Sequence, residues 1–230
     1  MTTTQAIKKR LHKLEDWIQS SQGHAIFDVE MQLFQDQLRQ HEPNHYLQLG
    51  GPTLMRGFGV QGHYFHVDLR DDFFSPGLSV CADFESLPFA DGSMDLVLCP
   101  HIHEIYENQE KLFNEVCRVL SPTGRLLMFG INMSSLWAIQ RVFGESVAPW
   151  CPQIVPLGNI IQLMEGHDLH VLRRGSFAKI PYGRSHWIKS LPGLGRISYG
   201  MPYLGAIYIL LFERNVLCFE DGLTQEDGVV

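Results

Sequence analysis

This sequence predicts an α/β fold on a mainly parallel sheet, and three observations carry the prediction. Met94 to Cys99 (MDLVLC) and Arg125 to Ile131 (RLLMFGI) are short runs apolar on both faces, the pattern of strands covered by layers on either side. Between them Leu112, Phe113, Val116, Val119 and Leu120 recur at i, i+1, i+4, i+7 and i+8, the apolar stripe of an amphipathic helix. Strand, helix and strand so patterned make the βαβ unit of a parallel sheet.

Ahead of this unit, residues 5–19 put Ile7, Leu11, Leu14 and Ile18 on one helical face, with Lys8, Lys9, Arg10 and Lys13 mostly off it. A solvated basic face over a core stripe is the plain reading; a membrane-surface or RNA-contacting helix is the minor one. Gln22-Gly23 breaks the pattern, and a second helix carries Phe27, Met31, Phe34 and Leu38 and ends before Pro43. Together, residues 1–42 form a helical cap placed before the sheet. Strands are predicted at Tyr46 to Leu49, His63 to Asp68 and Leu78 to Ala82, ahead of the two in the βαβ unit. Ser135 to Phe143 and Leu157 to Met164 read as helices, and His170 to Ile180 and Gly205 to Phe212 as the sixth and seventh strands. Tyr182 to Tyr203, rich in Gly, Pro and aromatics, carries no assignable pattern, and the acidic stretch from about 220 to 230 is predicted to fray. With no repeat and no linker, residues 1–230 read as a single domain.

Composition narrows the function classes. A chain of 230 residues, 45% hydrophobic and 19% charged, is globular and long enough to bury a core. A formal charge of −7 argues against unaided nucleic-acid binding, which depends on neutralising phosphates. Five cysteines without C-x-x-C spacing read as reduced thiols, and the longest apolar run, Leu204 to Phe212, is too short to span a bilayer. The expectation is a cytoplasmic protein with no membrane span and no signal of oligomeric state.

The string from Ser79 to Ile131 has a fixed word order: an acid after a strand, Leu87-Pro88-Phe89, the Asp91-Gly92 turn, Met94-Asp95-Leu96-Val97, a helix ending R-V-L-x-P-x-G, then a strand. It closely resembles class I S-adenosylmethionine (SAM) methyltransferases, and more narrowly the type 11 branch that includes quinone and menaquinone biosynthesis methyltransferases. The resemblance implies a three-layer Rossmann-like sandwich of about seven mainly parallel strands, with strand seven antiparallel between five and six. It also implies SAM as cofactor, bound beyond the carboxyl ends of the strands.

By that resemblance the four turns after strands one to four carry the site. The first reads L-Q-L-G-G-P-T-L from Leu47 to Leu54, against the family's L-D-L-G-x-G-x-G. Gly50, with Gly51 beside it, would lie beneath the methionine tail; Gln48, Pro52 and Leu54 depart from the acid and the second and third glycines. Gln48 cannot attract the cofactor's ammonium, and Pro52 removes a backbone N–H and fixes φ. The second turn supplies Asp68, matching the acid that binds the ribose hydroxyls, or else a simple turn aspartate. Only about ten residues separate it from the next strand, so the second crossover helix should be shortened or absent. In the third turn Asp83 would accept from the adenine amine and the Phe84 N–H would meet a ring nitrogen.

The fourth turn, Pro100-His101-Ile102-His103-Glu104, would line the methyl-donor end, where the family often has a histidine. His101 is the catalytic candidate, as a general base; a structural histidine or a pocket wall is the alternative. Metal binding by His101, His103 and Glu104 is disfavoured because no complementary Cys/His cluster accompanies them. After strand five, Gly130 to Trp137 resembles the G-F-N-P-x-S-L-W string of an uncharacterised proteobacterial set of methyltransferase-like proteins, which also has a helical pair with a tryptophan, here Trp17. That resemblance runs over about residues 14–214. Asn132, Ser135 and Trp137 would sit at the active edge, or Asn132 or Ser134 would cap a helix.

The functional expectation is therefore an enzyme: SAM-dependent methyl transfer to an unidentified, small-molecule acceptor, with no nucleic-acid partner and no metal. The alternative is a catalytically silent relative in which the altered first turn no longer binds SAM and the fold serves as a binding or scaffold module. A nicotinamide-dependent oxidoreductase is disfavoured, since Gly50-Gly51-Pro52 does not supply G-x-G-x-x-G.

Overall fold

The computed structural model describes residues 3–41, 43–54, 62–71, 78–132, 150–151, 155–177, 205 and 207–214. Along the chain these form α1 (Thr3–Gln19), α2 (Ser21–His41), β1 (His45–Leu49), β2 (His63–Asp68), β3 (Leu78–Cys81), β4 (Met94–Pro100), a 3₁₀ turn (Ile102–Glu104), α3 (Gln109–Val119), β5 (Leu120–Ile131), α4 (Leu157–Glu165), β6 (Leu169–Phe177) and β7 (Ile207–Arg214). The strands make one sheet in the order β3-β2-β1-β4-β5-β7-β6. β1 to β5 pair in parallel, and β7 runs antiparallel between β5 and β6, as the sequence resemblance implies.

The βαβ unit forms as patterned, with Leu96 opposite Arg125 and Pro100 opposite Phe129. Its helix, α3, starts where the Asn108 side chain accepts from the Lys111 N–H, and it buries Leu112, Phe113, Val116, Cys117 and Val119. β5 begins earlier than its apolar run, at Leu120. The register shifts between Met94 and Leu96, so the Pro122–Gly124 turn is accommodated as an irregularity within the strand. Leu47, Leu49, Val97, Leu98, Leu126, Leu127 and Phe129 are all fully buried, as expected of strands covered on both faces.

The helical pair departs from its pattern in two ways. Gln22 and Gly23 do not end a helix but lie in the first turn of α2, and the break falls at Ser20. A Cβ at Gly23 would overlap the backbone of Trp17 and Ile18, so glycine is what lets the second helix start against the end of the first. The buried face of α2 is Ile26, Glu30, Leu33, Phe34 and Gln37, turned from the apolar stripe because two polar side chains, Glu30 and Gln37, point inward; Phe27 and Met31 sit on its shoulder. α1 buries Ile7, Leu11, Leu14 and Ile18, all four as expected. Its basic face is only partly solvated: Lys8 pairs with Asp71 at 3.0 Å, and Arg10 donates to the Ile105 carbonyl at 2.9 Å and to Glu107 at 2.6 Å.

The helix expected at Ser135 to Phe143, the segment Tyr182 to Tyr203, the end of the sixth strand at Ile180 and the tail from about 220 lie outside the described residues. Cys81, Cys99, Cys117 and Cys151 are free thiols, all but Cys81 buried. Among the described residues no helix is long and apolar enough to cross a membrane.

Candidate functional site

Strand order reverses at β1, which has β2 on one side and β4 on the other, so a crevice should open past its carboxyl end. The first turn begins there. The Gly50 N–H continues the ladder to the Val67 carbonyl at 2.7 Å, and Gly50 and Gly51 take φ of 51° and 71°, values that favour glycine. Space at Gly50 is as tight as its backbone is unusual. A Cβ there would lie 2.6 Å from Ile102 Cδ1, 3.2 Å from Phe84 Cζ and 3.3 Å from Leu11 Cδ2. Leu11 of α1, Phe84 of the third turn and Ile102 of the fourth therefore converge on this one backbone position.

Gln48 replaces the expected acid and works as a staple. Fully buried, it donates to the Gly50 and Pro52 carbonyls at 2.8 and 2.9 Å and accepts from the Leu54 N–H at 3.0 Å and the Tyr64 hydroxyl at 2.7 Å. Only an amide has both the donors and the acceptor this needs. Pro52 and Leu54, departures in sequence, are here two of the four backbone and side-chain partners that close the loop. His66 lies under the same loop, its Nε2 3.2 Å from the Gly50 carbonyl. Burial lowers its pKa to about 4, so the ring is neutral and can donate to that carbonyl.

Asp68 ends β2 almost completely buried, and a neighbour already engages it. Arg70 donates from its backbone N–H and Nε to Oδ1 and from Nη2 to Oδ2, each at 2.9 Å. The same guanidinium reaches Glu15 of α1 at 2.5 Å. Asp83, by contrast, is exposed. Its Oδ1 accepts from the Glu85 N–H at 3.0 Å and from the Tyr106 hydroxyl at 3.2 Å. Phe84 is buried beside it, with its ring centroid 5.7 Å from that of Tyr106. The Leu87-Pro88-Phe89 stretch is tied to α3: Arg118 donates to the Leu87 and Phe89 carbonyls at 3.0 and 2.9 Å, and Glu115 accepts from the Leu87 N–H at 2.8 Å. The L-P-F and R-V-L words thus belong to one contact. Arg118→Met should free that loop and lower stability in urea by roughly 1–2 kcal/mol, the scale of lost charge-assisted hydrogen bonds at a partly exposed position.

The fourth turn holds a buried polar cluster. His101 takes a left-handed φ of 61° and sits between two carboxylates, Nδ1 3.0 Å from Glu104 and Nε2 3.0 Å from Glu30 of α2. Burial opposes its charge, but Glu104 and Glu30 outweigh it and push the pKa up to about 10. Glu104 also accepts from the Ile131 N–H and from Trp150 Nε1 at 2.9 Å, and His101 holds its carboxyl below the usual range despite burial. Trp150 packs edge-on to His101 at 5.6 Å and against Trp17 of α1 at 4.8 Å. His103 faces elsewhere, with Nε2 2.5 Å from the Tyr208 hydroxyl of β7; the absence of a side chain at Gly130 lets the two meet. Burial lowers the His103 pKa to about 4. A general-base role asks His101 for a lone pair, whereas here both nitrogens donate, so that role would require the Glu30–His101–Glu104 chain to open.

Of the residues expected at the site, Gly50, Gly51 and Phe84 gather at the first turn, Asp68 and Asp83 stand at the ends of adjacent strands, and His101 lies apart, beneath the cap. Asn132 donates to the Gly205 carbonyl at 2.8 Å, while Ser134, Ser135 and Trp137 lie outside the described residues. Sequence reasoning missed Glu15, Glu30, Arg70, Tyr106 and Trp150. Glu30 left one local trace, an acid amid the apolar periodicity of α2.

Residues 60–128 match the family model described as a methyltransferase domain, a stretch from just before β2 to within β5 that leaves out the first turn. An uncharacterised protein of Methanocaldococcus jannaschii is 40% identical over 57 residues, which are 25% of this chain and 25% of that protein, so the chain spans only a quarter of that relative. The fold is similar to a SAM-dependent methyltransferase of Thermotoga maritima, described as a possible histamine N-methyltransferase (13% identity, 93% of this chain and 100% of that one, TM-score 0.70). It is also similar to the N-methyltransferase NodS of Bradyrhizobium japonicum in complex with S-adenosyl-L-homocysteine (12% identity, 94% and 100%, TM-score 0.60). A third is a SAM-dependent methyltransferase of Archaeoglobus fulgidus (15% identity, 80% and 94%, TM-score 0.56). The chain thus has the Rossmann-like class I methyltransferase fold, and from β2 to β5 it carries the sequence pattern of a methyltransferase domain.

Proposed function

We propose that this chain, a methyltransferase in fold and in the pattern of its residues 60–128, binds SAM past the ends of β1 to β4 and methylates a small-molecule acceptor. The observation that carries the reading is the register of β2 and β3. Asp68 lies opposite Cys81, and the Ala82 N–H donates to the Asp68 carbonyl at 3.0 Å, so Asp68, Asp83 and Phe84 share one rim of the crevice. Those residues fit an adenosine. Asp83 is exposed, and no hydrogen bond among the described residues reaches its Oδ2, which leaves an acceptor for an exocyclic amine. Phe84 provides apolar packing behind the rim, and at Gly51 the left-handed backbone carries no side chain and the nearest atom to a Cβ would be 3.5 Å away, so a ligand could approach the backbone there.

Bound SAM would supply a methyl group on a cationic sulfur, displaced in line by the acceptor. The chain's own work is then to hold, orient and exclude water. Asp68, Asp83, Phe84, Gly50 and Gly51 would hold the cofactor, and Leu11 and Ile102 would keep water from the first turn. His101, enclosed as the charged link between Glu30 and Glu104, would fix the cap beside the crevice and not act as a proton acceptor. The four cysteines among the described residues, all free thiols, fit a reducing compartment such as the cytoplasm.

Calorimetry of the full chain with SAM and with S-adenosylhomocysteine tests the reading. Asp83→Ala should weaken binding by on the order of 1–3 kcal/mol. If neither Asp83→Ala nor Asp68→Ala changes a measurable affinity, the assignment falls. One observation favours the silent alternative: Gln48 and Asp68 are both satisfied from within the chain. No heat with either ligand would decide for it.

A further inference from the structure

Asp68 is the acid placed to take the ribose hydroxyls, and both of its oxygens are occupied by Arg70. Local sequence does not force this pairing to persist. Arg70 is two residues further along the same loop, and its guanidinium is shared with Glu15, a half-buried residue on α1. α1 is the element whose Leu11 stands over Gly50, and it is fastened to the rim at Lys8–Asp71 and Arg10–Glu107 as well. We propose that Arg70 is a resident competitor for the ribose-binding carboxylate, held in place by Glu15, so that a nucleoside cofactor enters only after Arg70 swings away from Asp68. Arg70 then sets the affinity of the crevice, and the Glu15–Arg70 pair couples α1 to cofactor entry. The inference rests on the SAM reading of the site.

The pairing has a definite kinetic consequence. If only the fraction of molecules with Asp68 released can bind, both the association rate and the apparent affinity are reduced by that fraction, while dissociation is governed by contacts made afterwards. Removing the anchor raises that fraction. Glu15→Gln leaves the guanidinium and Asp68 in place and removes one partly exposed ion pair, so association should quicken roughly threefold. Arg70→Met keeps the packing of the side-chain stem and removes the competing guanidinium, leaving only the backbone N–H on Oδ1, which should quicken association roughly tenfold or more.

Stopped-flow fluorescence of the full-length wild type, Glu15→Gln and Arg70→Met with S-adenosylhomocysteine is the test. Faster association in Glu15→Gln, with dissociation little changed, supports the proposal even if Arg70→Met does not fold. Binding only after Glu15→Gln supports it more strongly. Equal or slower association in the variants, with a wild type that binds, overturns it while the SAM reading stands. No binding by any of the three overturns both.

Discussion

His101→Ala is expected to lower the unfolding free energy by on the order of 3–5 kcal/mol, because it leaves buried carboxylates facing an empty space. Glu30 and Glu104 are each 3% exposed or less, and the imidazolium between them is the cation they share. The direction with pH is fixed by the same geometry. The folded-state pKa of His101, about 10, stands above the ordinary 6.5. Its stabilisation is therefore complete below about 6.5 and is lost as pH rises through about 10. Glu104, held below its ordinary value, adds stability above that value and loses it as pH falls through the lowered one. Thermal melts of wild type and His101→Ala should differ most near neutrality and converge above pH 10. Parallel melting curves across that range would show that the ring is not charged in the native state.

The second large effect runs against the logic of restoring a motif. Gln48→Glu would return an acid to the position where the methyltransferases that this sequence resembles carry one, and it should damage the protein. A carboxylate would face the Gly50 and Pro52 carbonyls, which now receive the amide's two donors, in a position with no exposure to water. An unpaired acceptor at Pro52, a Gly50 carbonyl left with His66 Nε2, and a desolvated charge put the cost on the order of 2–4 kcal/mol, and SAM affinity should not improve. Urea unfolding and calorimetry on the same sample check both halves. A stable Gln48→Glu that binds SAM more tightly would mean that the loop can reopen around an acid.

What the sequence made legible is what local periodicity determines. The four-residue stripe of α1, both strands of the βαβ unit and its helix are consequences of side-chain spacing, and each appears where the spacing puts it, save that Leu120, expected on the helix, begins β5. The third turn was readable because its words are adjacent in the chain: Asp83 stands just ahead of the L-P-F stretch, and that stretch is tied to Arg118. Long-range pairing was not legible. Glu30 and His101 are 71 residues apart and Arg70 and Glu15 are 55 apart, so nothing near either residue in the chain announces its partner. This is why His101, alone after a strand, reads as an available base, and why the buried face of α2 could not be foreseen to turn toward a polar side chain. The role of Gln48 escaped for another reason: a substitution for an acid looks like a loss until the loop that uses its donors is seen.

The order in which the chain is made adds a constraint on the helical cap. α1 and α2 leave the ribosome before the sheet, and some of the groups that secure α1 come much later. The partners of Arg10 are 95 and 97 residues downstream, and Trp17 packs on Trp150. At about 5–20 residues per second, the apolar faces of the two helices wait roughly 5–20 s for the sheet edge they will cover. During that interval they can pack on each other, on the first turn and the Arg70–Asp71 loop as these emerge, or on a chaperone. Destabilising changes on their buried faces should therefore reduce the yield of folded protein in the cell more than they lower the melting temperature of what is recovered.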